Sequence, residues 1–257
     1  MAKPASRVLR TGGLYFNGVN AYVVVGLQPD GSGRPFTVYG WKEITITEWV
    51  YAIRPKANNS YLAFNMIGDN VRDYTTTYHW AHYDYEYLYL YARWEARKPD
   101  GTRALYAYNW LSEVNKWTFL ARRFTANREF SFWVNGVKKY SVTVPADYKT
   151  VLEWNPETAT YPERYKRFTI GTHTGFYTHM SLMVDDVRIY NRALTNAEIS
   201  EIYSKGTLIK DGLVLCLPFY EGEGNIAHDV SGYGNHGTIY GASWVVKKAL
   251  RVLPKAG

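Results

Sequence analysis

The segment YHWAHYDYEYLYLYARWEAR (78–97) is the chain's densest mixture of ionisable and aromatic side chains. Read as one strand, it places Trp80, His82, Asp84 and Glu86 on one face, giving way to Leu88 and Leu90. Tyr83, Tyr85, Tyr87, Tyr89 and Tyr91 line the other face. A tyrosine row can stack on the C–H faces of sugar rings while its hydroxyls hydrogen-bond, so Trp80, Tyr85, Tyr87 and Tyr89 are candidate carbohydrate contacts. Trp154, Tyr161 and Tyr177 extend that candidate surface from later loops. Packing against a second sheet or a neighbouring subunit is the equal alternative for the tyrosines. Asp84 and Glu86 raise hydrolysis, because retaining cleavage of a glycoside needs a nucleophile and an acid about 5 Å apart. The imidazole of His82 supplies no such carboxylate, and a solvated polar face is the simpler account of the triplet.

A second cluster is HDVSGYGNHG (228–237). Calcium takes about six to eight oxygens, and here Asp229 and Asn235 offer side-chain oxygens while the glycines let carbonyls turn inward. Asp185 or Asp186 could complete the set across a sheet edge. The alternative is a metal-free Asx-turn, in which Asp229 and Asn235 bind loop N–H groups, and the sequence slightly favours it. His228, Asp229 and His236 also suggest zinc, but no tetrahedral set completes them. The chain shows no nucleophile elbow, phosphate loop or dinucleotide fingerprint.

The elements that must hold these residues are short aromatic or β-branched runs punctuated by turn residues, which predicts many antiparallel strands. The clearest lie at 15–25, 43–53, 83–94, 103–110, 116–125, 129–134, 138–144, 167–171, 183–190 and 213–219. Asp100-Gly101 and Asn135-Gly136 suit the positive φ of tight hairpins. TNAEISEIYSKG (195–206) alone reads as a helix, with Thr195 and Glu198 as a capping box and Gly206 as its stop. One short helix among many strands predicts an all-β, two-sheet antiparallel sandwich, and 257 residues with 46% hydrophobic content suit a single domain.

Charge narrows the partners. Lys3, Arg7 and Arg10 in residues 1–13, with Lys247, Lys248, Arg251 and Lys255 in 245–257, carry the whole formal excess of +7. The body, 14–244, is formally neutral, so no clustered phosphate-binding groove is expected and nucleic acid is not read as the ligand. No run of about 18 apolar residues is present for a membrane span, and MAKPASRVLRTGG lacks the apolar core of a secretory signal. An extracellular or virion-surface location would then be reached by lysis, assembly or a removed leader. The single Cys216, in LVLCLPF, reads as an inert core thiol.

Residues 212–244, GLVLCLPFYEGEGNIAHDVSGYGNHGTIYGASW, resemble the opening of a laminin-G-like, concanavalin A-like jelly roll. The family's usual next phrase resembles LYFNGVNAYVVV, found here at 14–25. VDDVRIYNRALTNAEISEIY (184–203) resembles the family's final strand and helix, KWTFLARRF with FSFWVNGVKKY its central hairpin, and ITITEWVYAIRP (44–55) an early core strand. The resemblance implies a cyclically permuted jelly roll over 14–246, elaborated at 56–110 and closed by a strand at 212–220, between basic arms at 1–13 and 247–257. Arg7-Val8-Leu9 and Arg251-Val252-Leu253 occupy the same place in that cycle, so one tail is expected to reach a neighbouring subunit or to lie free. The resemblance also implies a rim calcium, and glycosidases of the fold that carry Glu-x-Asp-x-Glu on one strand. His82 stands where the first of those acids would be. The reading reached is a non-enzymatic recognition or adhesion protein that binds a glycan or cell-surface polysaccharide and forms a homo-oligomer. The alternative is a self-assembling structural or virion surface protein that exchanges strands or tails, and a polysaccharide hydrolase using Asp84 and Glu86 stands behind both.

Overall fold

A computed structural model describes residues 12–26, 36–53, 61–69, 75–84, 87–112, 115–153, 168–172 and 181–245, with 52, 61–69, 75–84, 87–93 and 107–112 described by backbone alone. The first strands are β1 (Gly13–Asn17), β2 (Tyr22–Val25), β3 (Ile44–Ala52), β4 (Tyr61–Asp69), β5 (Thr75–Asp84) and β6 (Tyr87–Arg97). β7 (Arg103–Ser112), β8 (Trp117–Phe124), β9 (Glu129–Val134), β10 (Val137–Thr143), β11 (Phe168–Ile170) and β12 (Ser181–Tyr190) follow. After the helix α1 (Asn196–Lys205) come β13 (Leu213–Leu217), β14 (Ile226–Ala227), β15 (Gly237–Tyr240) and β16 (Ser243–Val245). Among the described residues no helix is long and apolar enough to cross a membrane.

The strands form two eight-stranded antiparallel sheets, the two-sheet sandwich that the turn and strand pattern predicts. One runs β10-β9-β8-β3-β12-β1-β16, with β13 also on β12; the other runs β14-β15-β2-β11-β4-β5-β6-β7. The elaborated segment 56–110 thus supplies the meander β4 to β7. Alternation along the strands turns Leu14, Phe16, Ile46, Leu120, Phe130 and Leu215 of the first sheet against Val23, Val25, Trp94, Phe168 and Ile239 of the second. Burying each such side chain stabilises the fold by about 1.5–3 kcal/mol, and this double layer is the main core. Glu48 and Arg122 occupy inward positions of β3 and β8 and are buried too. Burial lowers the Arg122 guanidinium to about 10, against the opposing pull of Glu48.

A second apolar cluster lies on the outer face of the first sheet, where Ile199 and Ile202 of α1 cover Trp49, Phe119, Trp133 and Tyr190. The buried Cys216 belongs to it. The helix has the ends its sequence specifies. Thr195 Oγ1 accepts from Glu198 N at 3.2 Å, Glu198 Oε2 accepts from Thr195 N at 2.7 Å, and Gly206 closes the helix in the left-handed region. Asn135-Gly136 turns β9 into β10 with φ of 49° and 75°, as its type predicts. A Cβ on Gly136 would come within 2.6 Å of the Tyr203 ring, so close approach of the helix also requires glycine there.

Three expectations change. The run 15–25 is two strands, because Asn17 Oδ1 accepts from Val19 N (2.8 Å) and Asn20 N (3.1 Å) and turns the chain from one sheet to the other. The run 78–97 is also two strands: β5 ends at Asp84, and β6 runs back beside it with Asp84 opposite Tyr87 and His82 opposite Tyr89. Finally, 213–219, which the family's order would set beside 15–25, is ordered in the sandwich, but β13 pairs with β12, from Val187 opposite Leu217 to Tyr190 opposite Leu213. β1 takes the other half of the same β12 edge, beyond the register shift after Asp185. The strands directly beside β1 and β2 come from later in the chain, with Gly13 opposite Val245 and Tyr22 opposite Tyr240. The C-terminal strands therefore close this chain's own sandwich; residues 1–11 and 246–257, which carry the cations of the two expected basic arms, lie outside the described residues, while Gly13 begins β1.

Candidate functional site

The backbone places Trp80, Tyr87 and Tyr89 on the neighbouring strands β5 and β6, where Trp80 is opposite Tyr91. Tyr85, Glu86, Trp154, Tyr161 and Tyr177 lie outside the described residues. β5 carries His82 and Asp84 and ends at Asp84, so the Glu-x-Asp-x-Glu comparison, whose third acid Glu86 lies outside the described residues, is not met along β5. The physical cause is the reversal between β5 and β6, at a place with no glycine, proline or asparagine to announce it.

The Asp229 carboxylate accepts four hydrogen bonds: Oδ1 from Cys216 N (2.8 Å) and Ser231 N (2.9 Å), Oδ2 from Ser231 Oγ (2.7 Å) and Asn235 N (2.9 Å). Its own N–H donates to His236 Nδ1 at 2.9 Å. Val230 N donates to Cys216 O, and the Asn235 side-chain amide donates to Val214 O, both at 2.9 Å. The loop thus covers the edge of β13 that faces away from β12, satisfying backbone groups that would otherwise form an open sheet edge. This donor set is that of the Asx-turn, and it does not fit a hard cation, which would need those N–H and O–H groups to turn away. Asp186 is committed elsewhere. In the left-handed conformation (φ 52°) it accepts from Arg188 Nε at 2.6 Å and Nη2 at 2.8 Å. Burial works against the Arg188 charge, but Asp186 outweighs it and holds the guanidinium above its usual range. Arg188 also donates to Thr207 O and Gly206 O, fastening the helix end to β12. Asp185 is buried beside this bulge. Among the described residues no three His, Cys, Asp or Glu side chains converge to hold a metal ion.

A cleft of about 430 Å³ opens where the loop before β3 meets the β8–β9 turn and the turn at 150–153. In the first loop Trp41 N donates to Val38 O (3.2 Å) and Gly40 N to Leu152 O (2.8 Å), while Gly40 supplies φ 82° at the turn position that demands it. Tyr39 is left 46% exposed at the rim, and Trp41, partly buried, stands edge-on to Phe36. The floor is Phe124 and Leu152, with Phe124 stacked on Trp94 at 4.6 Å and 2° between planes. Arg128 forms one wall at the end of the β8–β9 turn, with φ 61°, a conformation that costs a non-glycine residue about 1 kcal/mol. Its side chain offsets that cost. Nη1 donates to Glu153 Oε1 (2.7 Å), Nε to Val144 O (3.3 Å) and Pro145 O (3.1 Å), Nη2 to Tyr148 O, and the guanidinium lies over the Phe124 ring. Glu153 Oε2 accepts from Thr150 N (2.5 Å) and Oγ1 (2.7 Å), so its carboxylate is fixed.

The arrangement combines partly exposed aromatic rings, a rigid apolar floor and an oriented ion pair, the composition of a small-ligand site. Glu153 is the one carboxylate among the described lining residues, which therefore do not by themselves supply the acid pair that glycoside hydrolysis requires. The sequence reading missed it. The available signal was Val-Tyr-Gly-Trp at 38–41, two aromatics around a turn glycine, where a loop shows side chains to solvent.

A protein from Bacteroides ovatus, a presumed carbohydrate binding protein, superposes with a TM-score of 0.59 and 16% identity over 93% of this chain and 61% of its own length. The chain therefore spans about three fifths of that relative. The native heptameric SAP-like pentraxin from Limulus polyphemus superposes with a TM-score of 0.56 and 12% identity, covering 93% of this chain and 96% of its own. At these identities the likeness is one of fold. No curated protein matches the sequence. A family model described as the concanavalin A-like lectin/glucanases superfamily matches residues 17–200, which include the β6–β7 and β9–β10 hairpins and the first half of α1. That span covers well over half of the chain, and the fold it describes is the sandwich seen here: the protein belongs to the concanavalin A-like lectin/glucanases superfamily.

Proposed function

We propose that the protein is a non-enzymatic glycan-recognition module and that the Trp41 cleft holds the saccharide. The observation that carries this reading is the cleft itself, where Tyr39 and Trp41 flank the hydrogen-bonded Arg128–Glu153 pair. Sugar rings present apolar C–H faces and hydroxyl edges, which such a mixture of rings and oriented polar groups complements. The lectin-containing family and the presumed carbohydrate-binding relative support it at the level of fold. The tyrosine-rich strands β5 and β6, with Trp80, Tyr87 and Tyr89, are proposed as an extension of the binding surface. A glycan array probed with the wild-type chain and with Trp41→Ala tests the reading. Specific glycan signals that the variant loses are expected. Signals identical in the variant would move the site away from the cleft, and release of reducing sugar from a bound polysaccharide would replace recognition with hydrolysis.

A further inference from the structure

The next inference rests on that reading of the Trp41 cleft and concerns the class of saccharide it takes. Among the described lining residues the guanidinium charge is compensated. Arg128 and Glu153 form a pair at 2.7 Å, and the other guanidinium contacts go to the carbonyl oxygens of Val144, Pro145 and Tyr148. Offering a two-pronged contact to a ligand carboxylate would mean breaking that pair and exposing Glu153 to a like charge. The other cation among the described lining residues, the exposed Lys42, is followed in sequence by Glu43, whose carboxylate accepts from Ala126 N at 3.0 Å and Ala193 N at 3.1 Å. With Arg128 neutralised by Glu153, the described lining leaves the solvated Lys42 side chain, which repays little of an acidic sugar's desolvation.

The polar capacity left over suits a hydroxyl instead. A carboxylate offers about four acceptor positions. Those of Glu153 receive Arg128 Nη1, Thr150 N and Thr150 Oγ1. One position remains, and Glu153 is about two-fifths exposed, at 41%. We infer that the cleft takes an uncharged pyranose, with its apolar face against Trp41 and Tyr39 and one hydroxyl donating to Glu153.

Native-gel retardation of the full chain by soluble polysaccharides tests this. The probes are dextran, galactomannan and hydroxyethylcellulose as neutral polymers and polygalacturonate as an acidic one, at about 50 mM and about 500 mM NaCl. Retardation by a neutral probe should change less than about twofold with salt and weaken at least about tenfold in Trp41→Ala. Should Trp41→Ala fold poorly, Tyr39→Ala replaces it, because Tyr39 lies at the exposed rim. Retardation by polygalacturonate alone, abolished by salt, overturns the uncharged ligand while leaving glycan recognition standing. Retardation by none of the probes, with a positive glycan array, overturns the assignment to neutral polymers of these types. A negative array as well defeats the glycan reading itself.

Discussion

Two loop clusters contain the residues that look most like binding groups, and they spend their polar atoms differently. In the Asp229 loop the four hydrogen bonds to the carboxylate all come from donors of the same chain, and the result is a covered edge of β13. In the Trp41 cleft Arg128 and Glu153 are also tied down, yet they border open space and exposed aromatic surface. A concentration of Asp, Asn, Gly and His can therefore be a fastening, while two aromatics around a single glycine mark the place with room for a ligand. The distinction is one of geometry: both loops use hydrogen bonds for rigidity, and at the cleft that rigidity shapes a concavity.

The largest test of this contrast is Asp229→Ala. It strands the N–H groups of Cys216, Ser231 and Asn235, and should cost about 2–4 kcal/mol in urea unfolding while the surviving folded protein keeps its glycan affinity. Loss of affinity with unchanged stability would reverse the roles assigned to the two loops. Trp41→Ala should do the opposite: affinity falls at least about tenfold, and stability falls by no more than about 2 kcal/mol because the side chain is only partly buried. Comparing binding isotherms with melting curves of the variant checks both halves.

The cap of α1 provides a smaller test of a polar group that serves the fold alone. Hydrogen bonding to Arg192, followed by the Thr195 cap, outweighs burial and lowers Glu198 from 4.5 to about 2. A depressed folded value means that the contribution is present above about pH 4.5 and is lost as pH falls toward 2. After allowance for solvent screening it amounts to about 1 kcal/mol, and Glu198→Gln should remove that much of the acid dependence without changing affinity. A pH profile unaltered by the substitution would show that the cap does not contribute in solution. Chelation should have the least effect: EDTA is expected to leave the melting temperature unchanged, since the Asp229 oxygens already hold chain donors. A fall that added Ca²⁺ restores, and that Asp229→Ala abolishes, would make the loop a metal site after all.

Much of the architecture was legible because it is set by local rules. Thr195, Glu198 and Gly206 fix both ends of α1 within twelve residues, and Asn135-Gly136 marks its hairpin through its capacity for positive φ. The break in 78–97 was not legible, because Tyr85-Glu86 carries no turn residue and alternation continues unbroken through it. The aromatic strand therefore looked longer than β5, and its acids looked collinear. Asp229 and Asn235 were legible as loop-binding residues, though which backbone groups they bind depends on β13 lying beside them.

The sequence by itself determined an all-β sandwich, its capped helix, its tight hairpins and its resemblance to the family, since periodicity, turn chemistry and caps act over a few residues. The pairing of β16 with β1 and of β15 with β2 joins the two ends of the described chain in one sandwich. Only the tertiary structure decided where a ligand could enter. Trp41, Arg128 and Glu153 are remote in sequence, and they meet because β3 pairs with β8, β8 turns into β9 at Arg128, and that side chain reaches the turn at 150–153. No local pattern encodes such a meeting; it follows from long-range strand pairing, which fixes which loops share one end of the sandwich.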